Sequence, residues 1–277
     1  MNRAPPLVST AWLAEQLGAP RLRIVDATWF MPGQGDAATS FRQGHIPGAV
    51  HFDIDHIADR SSSLPHMLPS PAAFAEAVGA LGIADDDRVI AYGLAGPRVW
   101  WMFRAMGHDA VSVLDGGLAK WAAEGHPTEA GEPHPEPAIF TARFRPELVK
   151  DFDQVRAALE AGQTVADARP GDRFTGAAPE PRAGLRSGHM PGSVSLPSSS
   201  LFNADGTFKS GEETAALVHA AGLAGSEPVI ASCGSGVTAC MIVLALARQD
   251  RWDTAVYDGS WTEWGGRSDA PVVTGGA

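Results

Sequence analysis

Short runs of aliphatic and β-branched residues alternate along this chain with segments whose apolar positions recur every three or four residues. "RLRIVDAT" (21–28), "DRVIAYG" (87–93) and "AVSVLDG" (110–116) predict buried strands. "AWLAEQLGA" (11–19), "PAAFAEAVGALG" (71–82) and "RVWWMFRAMG" (98–107) predict helices with apolar faces. The order then returns. "TVADAR" (164–169), "EPVIASC" (227–233) and "TAVYDGS" (254–260) predict strands, and helices are expected around 151–161, 211–222 and 238–249. Strand–helix alternation implies βαβ units, hence an α/β fold with mostly parallel sheets and helices on both faces.

The return is a duplication. "RQGHIPGAVHFD" (42–53) matches "RSGHMPGSVSLP" (186–197), "DRVIAYG" matches "EPVIASC", and "VLDGGLAKW" (113–121) matches "VYDGSWTEW" (256–264), each displaced by about 140 residues. Two tandem copies of one domain are therefore expected. The first spans 1–130 and the second 148–277, with a linker over 131–147. The stretch around that linker, 126–146, holds five prolines and is a poor helix or strand.

Composition narrows the function classes. The net charge of −11, without a basic run, argues against a nucleic-acid or anionic-membrane surface, while leaving room for a local anion pocket. Two cysteines in 277 residues make no disulfide framework, and no Cys/His spacing suits zinc. The N-terminus lacks the charged-then-apolar order of a secretory signal, and the longest apolar run, Ala239–Ala247, is too short to span a bilayer. A soluble, cytoplasmic protein with reduced thiols is expected.

Of the two cysteines, Cys240 falls inside the apolar run and suits helix packing. Cys233 instead follows a predicted strand and precedes Gly234, Ser235, Gly236, Val237 and Thr238, which lead into a helix. Ligands of parallel α/β sheets bind beyond the carboxyl ends of strands. Glycines let successive backbone N–H groups point inward, and a helix N-terminus adds partial positive charge. A thiol in that cradle is expected to favour the thiolate, the nucleophilic form. Phosphatases that cradle a cysteine this way need an arginine six residues on; here that residue is Ala239, which disfavours phosphoryl chemistry.

Over nearly its whole length the chain resembles the two-domain rhodanese family. "CGSGVTA" (233–239) is similar to the active loop of members that use 3-mercaptopyruvate, whereas thiosulfate-using members carry basic residues after the cysteine. "HIPG", "HMPG", "PRVWWMFRAMGH" (97–108) and "YDGSWTEW" add to the resemblance. It departs from the family between Tyr92 and Pro97, where relatives often carry a longer loop.

The resemblance implies that Cys233 takes sulfur from 3-mercaptopyruvate, releases pyruvate and passes the sulfur to cyanide, a small thiol or a thioredoxin-like protein. Thiosulfate as donor, or a non-enzymatic persulfide carrier, are the alternatives. It implies no metal and no organic cofactor. It places Asp55 and His66 with Ser235 as a proton relay, and Arg173 and Arg182 on the donor's carboxylate and carbonyl, a contact suited to the planar guanidinium. Gly234, Gly236, Val237 and Thr238 supply the cradle. In the first copy Cys233 is matched by Gly93, so that copy is expected to lack a nucleophile. His45 and His189, before Pro-Gly turns, read as structural.

Overall fold

The computed structural model describes residues 3–31 and 33–276. The chain forms two compact units. One contains the chain up to Arg60, Leu68–Arg145 and Asn203–Phe208; the other contains Ser61–Met67, Pro146–Phe202 and the chain from Lys209 on.

The first unit carries β1 (Leu7–Val8), α1 (Thr10–Gln16), β2 (Leu22–Asp26), α2 (Ala37–Gln43), β3 (Ala49–His51), α3 (Pro71–Ala80), β4 (Arg88–Tyr92), α4 (Gly96–Ala105), β5 (Val111–Leu114) and α5 (Gly117–Ala123). Its five strands lie in the order β1-β5-β4-β2-β3, and every pairing is parallel. The second carries β6 (Val149–Lys150), α6 (Phe152–Glu160), β7 (Val165–Asp167), α7 (Gly171–Thr175), β8 (Val194–Ser195), α8 (Gly211–Ala220), β9 (Ile230–Ser232), α9 (Ala239–Ala247), β10 (Ala255–Tyr257) and α10 (Ser260–Trp264). Its sheet repeats the arrangement as β6-β10-β9-β7-β8, again all parallel. This is the α/β architecture that the alternation predicts. The expected helices and strands form, while the two-residue strands and the short helices α2, α5, α7 and α10 were not separately foreseen.

Local chemistry starts most surface helices. Ser9, Asp36 and Ser70 cap α1, α2 and α3 through their side chains, and Asp151–Gln154 and Ser210–Glu213 form capping boxes on α6 and α8. The helices that follow the central strands β4 and β9 differ. Neither α4 nor α9 has a side-chain cap, and every residue of both is buried. A helix apolar all round belongs in a core, which accounts for "ACMIVLALA". In α4 the buried Arg98 and Arg104 rest on Trp101 and Trp100, with guanidinium carbons 4.5 and 4.9 Å from the ring centres.

The proline-rich stretch forms no helix before a 3-10 turn at Pro146–Leu148, and its backbone up to Arg145 is fastened to the first unit. Glu129 bridges to His45, and N–H groups of Gly131, Ala138, Arg143 and Arg145 donate to carbonyls of Arg42, Gly79, Met106 and Ala105 at 2.7–2.9 Å. His45 and His189 are buried alike. Each stacks on a phenylalanine (Phe41 at 4.0 Å, Phe174 at 3.9 Å) and binds that residue's carbonyl through Nδ1 at 2.8 Å.

The turn after β4 leaves no room for a side chain. Gly93 has φ +93°, and a Cβ there would lie 2.6 Å from the Thr28 nitrogen and 2.7 Å from the Ala27 carbonyl carbon. Only glycine fits such an approach of one backbone to another.

Candidate active site

Cys233 lies one residue beyond β9 and is 1% exposed. Its backbone is held by the first turn of α10: the Cys233 N–H donates to Ser260 Oγ at 3.2 Å, and the Trp261 N–H donates to the Cys233 carbonyl at 2.9 Å. The next carbonyl, of Gly234, accepts from both the N–H and the hydroxyl of Thr262, at 2.9 and 2.6 Å. The carbonyls at the start of the loop are thereby turned away toward α10.

The N–H groups are left facing elsewhere. Those of Gly234, Ser235, Val237, Thr238 and Ala239 have no acceptor among the described residues. Gly236 supplies the positive φ, 76°, that curls the loop. Thr238, at the N-cap of α9, makes no side-chain cap. A run of backbone donors without acceptors, most of its residues buried, at a helix N-terminus attracts negative charge. Cys240 is fully buried on α9, its Sγ 3.4 Å from the Gly236 carbonyl.

Arg173, on α7, reaches this loop. Its Nη2 lies 3.4 Å from where a Cβ on Gly234 would be. The guanidinium is held from behind by Glu180, whose other oxygen accepts from Arg169 Nη1 at 2.7 Å. Arg169 also binds both Asp167 oxygens and the Gly188 carbonyl, and its guanidinium carbon sits 4.1 Å above the Trp261 ring. Burial opposes the Arg169 charge, but Asp167 and Glu180 outweigh it and hold its pKa above the ordinary arginine value. Arg182 is half-buried and has no hydrogen-bond or ion-pair partner among the described residues.

Of the expected relay, Ser235 is 7% exposed within the loop, and His66 is 6% exposed with φ 60° in a segment of the same unit. Asp55 belongs to the first unit, exposed, with one oxygen accepting from Trp29 Nε1 at 3.0 Å. Glu180, Ser260, Trp261 and Thr262 were missed from the sequence. An acid set between two arginines in "GDRFTGAAPEPRAG" was a readable signal for Glu180. The role of α10 was not readable, because 27 residues separate Ser260 from Cys233.

Two tandem parallel α/β units, one bearing a cysteine on a loop of unpaired backbone donors, define a class of proteins with a thiol at the carboxyl edge of a sheet. The rhodanese-like domain matches the chain twice, over residues 9–124 and 151–267. The 3-mercaptopyruvate sulfurtransferase of Homo sapiens is 44% identical over 270 residues, covering 93% of this chain and 91% of that protein. The thiosulfate sulfurtransferase of Bos taurus is 45% identical with the same coverage. The crystal structure of a 3-mercaptopyruvate sulfotransferase from Escherichia coli superposes with a TM-score of 0.85 at 40% identity, covering 93% of this chain and 99% of that one. This chain belongs to the rhodanese family.

Proposed function

We propose that the protein is a 3-mercaptopyruvate sulfurtransferase working through a persulfide on Cys233 in the second unit, the first being non-catalytic. The Cys233 thiolate attacks the donor's sulfur, a sulfur–sulfur bond forms, and the carbon–sulfur bond breaks with its electron pair leaving on the enolate. Protonation of the enolate gives pyruvate. Ser235, His66 and, on the resemblance alone, Asp55 are proposed to supply that proton. An acceptor thiolate or cyanide then attacks the outer sulfur and regenerates the Cys233 thiolate. The sulfur carries its charge against the unpaired N–H groups of the loop, as in other sites where fixed backbone donors meet developing charge. Both cysteines are free thiols, which fits a reducing compartment such as the cytoplasm. No helix among the described residues is long and apolar enough to cross a membrane.

The observation that carries the choice of donor is the placing of positive charge. No residue from Gly234 to Thr238 is charged, and the guanidinium beside the loop, Arg173, comes from a separate element. Thiosulfate, a compact dianion, calls for cations next to the sulfur. 3-Mercaptopyruvate instead has a carboxylate distant from its sulfur, for which Arg173 and Arg182 are the proposed clamp. Each charge-assisted contact contributes about 1.5–3 kcal/mol, or about ten- to a hundred-fold in binding. The two human and bovine relatives match this chain almost equally, so identity does not choose between donors. The test is kcat/KM for both donors with one acceptor. A strong preference for 3-mercaptopyruvate is expected, and equal or better use of thiosulfate would reject this donor.

A further inference from the structure

Ser260 departs from a local rule. Its φ is 50°, a left-handed conformation that L side chains enter at a cost, and it is fully buried. The duplication supplies an internal control. In "LDGGLAKW" against "YDGSWTEW" the counterpart of Ser260 is Gly117, whose φ of 55° is nearly the same. Glycine adopts that backbone freely. Space does not explain the difference, since a Cβ on Gly117 would meet a single atom within 4 Å, the Gly93 nitrogen at 3.8 Å. The first copy has room for a serine and does without one.

What differs is the residue each position faces. Gly93 is the counterpart of Cys233, and carries no thiol to orient. In the second unit the Ser260 hydroxyl donates to the Tyr257 carbonyl at 2.8 Å and accepts from the Cys233 N–H at 3.2 Å. The adjoining Trp261 N–H takes the Cys233 carbonyl. Both backbone groups of the cysteine are therefore tied to consecutive residues of α10.

We infer that Ser260 is a positioning residue for Cys233. Its hydroxyl withdraws the cysteine's own N–H from the loop's donors and fixes the direction in which the thiol leaves the backbone. Displacement at a sulfur atom needs the attacking thiolate in line with the bond that breaks, so a small error of direction costs rate. The backbone strain at 260 is the cost of having a hydroxyl there. The inference rests on Cys233 being the sulfur carrier.

The test uses the full-length protein and the Ser260→Gly, Ser260→Ala, Gly117→Ser and Cys233→Ser variants. Single-turnover persulfide formation from 3-mercaptopyruvate, KM and Tm are measured for each. Ser260→Gly removes the hydroxyl and the strain together. It is expected to slow persulfide formation about tenfold, with KM within about twofold and Tm equal to or above wild type. Ser260→Ala is expected to slow it as much and to lower Tm, since the strain stays while both hydrogen bonds go. Gly117→Ser is expected to lower Tm at wild-type rate. Full rate in Ser260→Gly, or a rate loss that merely follows a fall in Tm, overturns the positioning role. So does an unchanged Tm in Gly117→Ser, because the strain would then be absent. If Cys233→Ser still acquires sulfur, the nucleophile itself is misassigned, a failure readable apart from the others.

Discussion

Cys233 and Cys240 are both buried, seven residues apart, and their surroundings differ. The first is followed by loop N–H groups without an acceptor among the described residues, while the second spends its thiol on the Gly236 carbonyl. Cys233→Ser should abolish sulfur transfer and Cys240→Ser should leave most of it, as followed by pyruvate release. The two arginines divide in a comparable way. Arg182 has no partner to lose among the described residues, so Arg182→Ala should raise KM for 3-mercaptopyruvate without moving Tm. Arg173→Ala should raise KM and also lower Tm, because it strips one oxygen of the buried Glu180 of its cation. Equal Tm values for the two variants would contradict this division. At this scale the cysteine and the glycines of its loop were legible as a candidate, since they are contiguous in sequence. Glu180 and Ser260 were not, because what makes them matter is the partner that folding brings to them.

Elements of ten residues, such as α3, α4 and α8, announced themselves by periodicity, and so did five-residue strands. α7 and α10, of five residues, complete little more than one turn, too short for a 3.6-residue period to be seen. β1, β6 and β8, of two residues, are too short for any alternation. Yet α10 is the element that holds the Cys233 backbone, so a helix that was hardly legible is the one that fixes the proposed nucleophile. Just past α4, His108 is packed between the rings of Phe103 and Phe140, each 5.6 Å away, and is 5% exposed. Burial pushes its pKa below the usual histidine value. On acidification the unfolded chain therefore takes up a proton at this position before the folded one does. Stability contributed here is complete above about pH 6.5 and is lost as pH falls below it. Tm should drop between pH 7.5 and 5.5 by more in the wild type than in His108→Phe. Parallel pH profiles would remove His108 from the account.

On the scale of the molecule, two copies of one fold carry one thiol loop, and mass spectrometry after donor treatment should find one added sulfur per chain, absent from Cys233→Ser. The duplication was the most legible feature of all, because "HIPG" and "HMPG", or "LDGG" and "YDGS", can be compared directly. Which copy has a cysteine at this turn was legible too, from the glycine at position 93. How firmly the other copy has given it up was not. The space beside the Gly93 Cα is filled by the backbone of Ala27 and Thr28, and φ there is left-handed. Gly93→Cys should therefore destabilise the protein, by about 1–3 kcal/mol from the conformation alone and further from the overlap, measured by urea unfolding. Seen as history, the turn works as a ratchet. Any return to a thiol at position 93 passes through a less stable protein, so, under the proposed function, selection for folding alone disfavours a second site in the first copy.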